Sequence, residues 1–199
     1  MPPELLTVDE SPLGLSWVLD EPMERACHAI LADAKVWFVD PVEVEDVVDR
    51  GAALGEPAGV LQLLDRHNRD CAAVAKLFGI EHLKVPDAVP GSPFEAIAAL
   101  RLPGWKETAL WWPEPRMLVV AEIVGTNSIA NAGRGGVGMH PMLRALPPKS
   151  IRGYEPEHLL VGHGAPVHGP EAASGLENAY ARSRRDIPKA TLNMIKSFR

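Results

Sequence analysis

An α/β chain with two sheets packed together and helices outside is what this sequence predicts, on three observations. Apolar runs of strand length recur from Leu13 to Val161, and none approaches the roughly 18 residues of a membrane span. Segments with helical spacing fall between these runs in both halves, the pattern of helices covering packed sheets. Nineteen prolines and 17 glycines among 199 residues require many turns and short elements.

The elements follow in order. Leu13 to Leu19 and Cys27 to Leu31 read as strands, and Ala32-Asp33-Ala34-Lys35 as a turn. Val36-Trp37-Phe38-Val39 is a strand that stops at Asp40-Pro41, because proline cannot donate to a ladder. Val42 to Ala53 carries apolar residues at helical spacing among acids. Gly59 to Leu64 is a continuous apolar run with one glutamine, a buried strand. Asp70 to Phe78 reads as a short helix, with Asp70 as N-cap and Gly79 just past its end. Leu83 to Pro86 is a further strand, and Phe94 to Leu102 fits helix or strand. Thr108 to Trp112 and Arg116 to Ala121, joined through Pro113-Glu114-Pro115, read as a hairpin. Residues 125 to 150 are loop-rich, His158 to Val161 is the last strand, and Pro170 to Arg185 a closing helix.

With 46% hydrophobic residues, one domain over residues 1–199 is expected. A net charge of −6 argues against a general nucleic-acid binder. The basic tail, Arg182 to Arg199, is read as a solvated helix face. Met1-Pro2-Pro3-Glu4 lacks a secretory pattern, and two cysteines, Cys27 and Cys71, build no disulfide framework, so the cytoplasm is the expected location. The expected partner is a small-molecule ligand or substrate, with neither nucleic acid nor membrane. The sequence carries no signal of oligomeric state.

Two motifs carry the chemistry. Gly59-Val60-Leu61-Gln62-Leu63-Leu64 runs into Asp65-Arg66-His67-Asn68-Arg69-Asp70-Cys71, and His158-Leu159-Leu160-Val161 runs into Gly162-His163-Gly164. This layout resembles the metallo-β-lactamase superfamily, as a divergent member with a degenerate metal motif. The resemblance implies a four-layer αββα sandwich with the site at one sheet edge. The family's His-x-His-x-Asp-His motif, aligned on its Asp, falls on Arg66-His67-Asn68-Arg69-Asp70-Cys71, where only Asp70 matches. His67 lies one place out of register. Trp105 stands at the position of the family's histidine after Pro-Gly, and Glu122 at that of the bridging aspartate. His163 keeps the last histidine.

The resemblance implies that one metal position has been lost, since Arg66, Asn68 and Trp105 are poor ligands. The other position retains Asp70, Cys71, Glu122 and His163, all chemically able to hold one zinc or iron ion. One reading is a single-metal hydrolase of an ester, thioester or lactone. Four protein donors, however, describe a closed structural site, whereas catalysis needs an open position. The other reading is a metal-free, non-catalytic binding or interaction protein. There Arg66 pairs with Asp70 or Glu122, and Trp105 fills the former site. His67 and His140 complete the residues expected to line the site. Gly133-Arg134-Gly135-Gly136-Val137-Gly138 satisfies G-x-G-x-x-G but lacks the flanking strand and helix, and is read as a loop.

Overall fold

The computed structural model describes residues 4–191. The Met1-Pro2-Pro3 start and the end of the basic tail lie outside the described residues. The first sheet comprises β1 (Leu5–Ser11), β2 (Gly14–Leu19), β3 (Ala26–Ala32), β4 (Lys35–Val39), β5 (Glu56–Gln62) and β6 (Glu81–Lys84), in that spatial order. Its first four strands are antiparallel neighbours, and β4-β5-β6 run parallel. The parallel pairs require crossovers, supplied by α1 (Val47–Ala52) and α2 (Cys71–Phe78).

The second sheet is built from β7 (Glu95–Leu102), β8 (Trp105–Trp112), β9 (Met117–Val120), β12 (His158–Val161) and β13 (Val167–His168), ordered β13-β12-β9-β8-β7. A two-stranded ribbon, β10 (Val124–Gly125) and β11 (Gly138–Met139), brackets the long loop, and α3 (Pro170–Arg182) packs outside.

Strand alternation creates the layers. On β4, Val36 and Phe38 face Val47, Val48 and Val74 of the helices. Trp37 and Val39 face Leu110, Leu118 and Val120 of the second sheet. On β5, Val60 joins the helical side and Leu61 the inter-sheet side. Leu176 and Ala179 of α3 close the far side of the second sheet. The arrangement is helix, sheet, sheet, helix, as the resemblance implied.

Several expectations change in detail. β1 did not stand out in the sequence because it is an edge strand with mostly exposed or half-buried side chains. The helix expected over 42–53 is confined to Val47–Ala52, because the chain after Pro41 stays irregular and Glu45 takes φ +49°. Residues 94–102 resolve as strand from Glu95, paired with β8 along its length. The closing helix ends at Arg182. Asp70 occupies the N-cap position of α2 but gives no side-chain cap, whereas Gly79 ends the helix in the left-handed conformation (φ +65°) as expected.

Buried His28 joins the two sheets. Its Nδ1 accepts from the Ser16 hydroxyl (2.8 Å), and its Nε2–H donates to the Val161 carbonyl (3.1 Å). Burial lowers its pKa from 6.5 to about 4, opposed by the Val161 hydrogen bond. The unfolded chain therefore binds the proton more readily than the folded one. The stability contribution is present above pH 6.5 and is lost as pH falls toward 4, by about 3 kcal/mol. Urea denaturation between pH 7 and 4 should show this slope, and His28→Gln should reduce it. An equal slope in the variant would assign the acid sensitivity elsewhere.

Candidate metal centre

Beyond Gln62 the chain leaves the first sheet and pairs with β8 of the second. Thr108 N–H donates to Leu63 O (2.8 Å), and Asp65 N–H donates to Lys106 O (3.0 Å). This crossing carries Arg66 and His67 toward the ends of β9 and β12, where Glu122 and His163 emerge. Gly162 is required there, since a Cβ at this position would overlap the Ala121 carbonyl. Gly164, at φ +90°, lets the chain turn against Thr126 and Asn127.

One donor atom from each of His67, Glu122 and His163 lies within 4.8 Å of the others. Glu122 Oε1 is 3.2 Å from His67 Nε2 and 3.7 Å from His163 Nε2. The other carboxylate oxygen, Oε2, accepts from the Arg66 guanidinium. His67 and Glu122 are nearly buried, with side chains 8% and 11% exposed. Burial pushes the Glu122 carboxyl up, but His163, His67 and Arg66 together outweigh it and hold it well below the usual carboxylate range.

The hydrogen bonds place a hydrogen on Nδ1 of both imidazoles. His163 Nδ1 lies 2.9 Å from the Met23 carbonyl, which can only accept, so Nδ1 carries a hydrogen. In the neutral ring, the buried Nε2 then presents a lone pair toward Glu122, and among the described residues it has no hydrogen-bond partner. His67 Nδ1 donates to Asp40 Oδ2 (2.9 Å) and turns its Nε2 toward Glu122 Oε1 (3.2 Å). Burial and Arg69 lower the His67 pKa, while Asp40 and the Glu122 hydrogen bond raise it, and the net direction is upward. The hydrogen bond between His67 Nε2 and Glu122 needs a proton between them, and a metal would take that proton's place.

The expected ligand set is therefore corrected. Glu122 and His163 are brought together, and His67 joins them despite its register. Asp70 instead accepts from the Glu43 N–H (2.9 Å). Cys71, fully buried as the first residue of α2, packs in the core between helices and first sheet, with its Sγ 3.6 Å from the His67 carbonyl. Burial pushes its thiol pKa up. Arg69, at φ +38°, turns the backbone so that residues 70 and 71 point away from the cluster. Asn68 is exposed and accepts from Lys84 Nζ (3.0 Å).

Arg66 and Trp105 flank the cluster, with the guanidinium 4.3 Å from the ring centroid. Trp105 is buried and meets the His140 ring edge-on, at 4.8 Å between centroids. His140 accepts from the Met142 N–H and shares a cavity of about 30 Å³ with Met23, Glu122, Ile129 and His163. Burial lowers its pKa to about 4, with opposition from Glu122, so it is neutral at pH 7.

Three supporting residues escaped the sequence reading. Asp40 orients His67. Arg69 donates to the carbonyls of Ala26 (2.6 Å), Asp40 (2.9 Å) and Gly162 (3.1 Å), sewing both sheets together beneath the site. Glu107 Oε1 accepts from the N–H groups of Ala121, Glu122 and Ile123 at 3.0, 3.1 and 3.3 Å, which fixes the turn that presents Glu122. The proline ending β4 marked Asp40 as a turn residue, but no sequence signal marked the other two.

The donor set fits a metal. Tetrahedral zinc donors lie about 3.3 Å apart, close to the 3.2 and 3.7 Å separations between Glu122 and the two histidines. Two of the three donors are pinned from behind by Asp40 and Met23, as metal-binding histidines usually are. Arg66 occupies only the second carboxylate oxygen and leaves Oε1 facing the imidazoles.

Solved structures with the same architecture agree with this topology. The DIM-1 metallo-β-lactamase, solved after exposure to ceftazidime, superposes with a TM-score of 0.57 at 12% identity, over 93% of this chain and 99% of its own. TMB-1, studied for substrate and inhibitor binding, gives 0.54 at 11% identity over 93% and 98%. A metallo-β-lactamase from Hirschia baltica gives 0.52 at 10% identity over 92% and 98%. No sequence-family model matches the chain, and no curated relative matches by sequence. Architecture, strand order and these likenesses together show that the chain has the metallo-β-lactamase fold.

Proposed function

We propose that this protein is a single-metal hydrolase of a small ester, thioester or lactone, with zinc or iron held by His67, Glu122 and His163. The observation that supports it most is the buried, unpartnered Nε2 of His163, aimed at a carboxylate that also faces His67. Three protein donors leave a coordination position open, unlike the four-donor set expected from sequence. A metal there would supply Lewis acidity toward a carbonyl oxygen or a water molecule.

The chain's own residues do the rest. Asp40 and the Met23 carbonyl hold the two imidazoles in their donor tautomers. Arg66 orients the Glu122 carboxylate and offers a cation at the exposed rim. Neutral His140 lines the cavity as a polar group that carries no charge. The cavity has room for on the order of one or two water molecules, so a substrate would present its reacting carbonyl at the mouth.

The Arg66–Glu122 pair over Trp105 favours a second reading, a metal-free pseudo-hydrolase in which the guanidinium is the permanent counter-ion. Metal uptake and generic ester turnover, measured on wild type and His163→Ala, discriminate between the two. The hydrolase reading expects one metal equivalent and the turnover to disappear together in the variant. Metal uptake equal in both proteins overturns it, and His163-dependent metal without turnover reduces it to a binding site.

A further inference from the structure

A second group of imidazoles sits at the opposite end of β12 from His163. His158 opens β12 and pairs directly across the ladder with His168 of β13. The two Nδ1 atoms are 2.8 Å apart, and the rings meet at 5.0 Å between centroids. His168 Nε2 lies 3.0 Å from Asp9 Oδ2, on the edge strand of the other sheet. Five residues of extended chain, about 16 Å, separate His158 from His163, so the two groups are independent.

Proton placement restricts what this arrangement can be. The Asp9 carboxylate only accepts, so His168 carries a hydrogen on Nε2 and, in the neutral ring, a lone pair on Nδ1. The hydrogen between the two Nδ1 atoms then belongs to His158. Moving it to Nε2 of the same ring leaves that ring neutral and points two lone pairs at one place. A carboxylate behind one imidazole is the usual support of a metal-binding histidine. We propose that His158 and His168 form a second metal site, for a divalent d-block cation that favours imidazole, with Asp9 orienting His168. Each ring is half-buried, so the cation would reach the pair from solvent and keep water in its remaining positions.

Copper(II), the divalent first-row ion with the highest affinity for nitrogen donors, is the probe. It is added alone, in a non-coordinating buffer, to full-length His163→Ala, in which the first cluster is disabled. The expected result is one bound equivalent with nitrogen hyperfine structure from two imidazoles in the electron paramagnetic resonance spectrum. Adding His168→Gln should remove that signal, and adding Asp9→Asn should weaken binding by about 10–100-fold. Circular dichroism confirms that each variant is folded. No uptake by His163→Ala, or uptake unchanged by His168→Gln, overturns the proposal. Neither result bears on the metal at His67, Glu122 and His163.

Discussion

Glu122→Gln is expected to weaken zinc binding at the central cluster by about 100-fold or more and to destabilise the metal-free protein by about 3 kcal/mol. The carboxylate is the one anion shared by His67, His163 and Arg66. The amide keeps the shape but loses the charge, leaving the Arg66 guanidinium without its counter-ion and His67 with Asp40 alone. Removing one partner of a buried ion pair costs about 3–5 kcal/mol. The lower end applies because Arg66, 42% exposed, can rehydrate. Titration calorimetry with zinc and urea denaturation of the metal-free protein measure the two effects. Wild-type affinity together with wild-type stability would show that Glu122 is neither a ligand nor the electrostatic centre of the site.

Glu107→Ala should be as damaging although its side chain lies behind the cluster. One buried carboxylate oxygen serves three successive N–H groups, and an unsatisfied buried donor costs about 1–3 kcal/mol. A total loss of about 4 kcal/mol is expected, less than the full sum because water can enter the space left. Burial, with repulsion from Glu122, raises the Glu107 pKa to about 7 against the pull of the three N–H groups. Neutral glutamine, which keeps an acceptor oxygen, should therefore cost about 1 kcal/mol. Denaturation measures both variants, and zinc titration should show weaker binding in Glu107→Ala because the turn bearing Glu122 loses its anchor. Equal losses in the two variants would point to packing as the cause.

The resemblance carried by Gly162-His163-Gly164 and by the strand before Arg66 led correctly to the fold. Gly162 packs against a backbone carbonyl and Gly164 has a positive φ, so both glycines follow from local sterics. Glu122 was legible for a similar reason, since it directly follows a strongly apolar strand. Asp70 and Cys71 were assigned by alignment with the family motif, and alignment does not fix direction in an irregular turn. The positive φ at Arg69 rotates the two residues that follow, while His67 is drawn inward by Asp40 and Glu122, 27 and 55 positions away.

The sequence by itself determined the layer order, most element positions, the glycines of the last turn, and two of the three clustered donors. The layers, elements and glycines depend on side-chain periodicity, proline and glycine sterics and strand ends, all local properties of the chain, and the two donors on the resemblance to the family motif. Only the tertiary structure decided that His67, and not Asp70 or Cys71, clusters with Glu122 and His163, that Arg66 takes one oxygen of Glu122, and that Asp40, Arg69 and Glu107 surround the cluster. Those outcomes depend on buried charges and N–H groups finding partners across two sheets, and such long-range pairing leaves no periodic trace in the residues that make it.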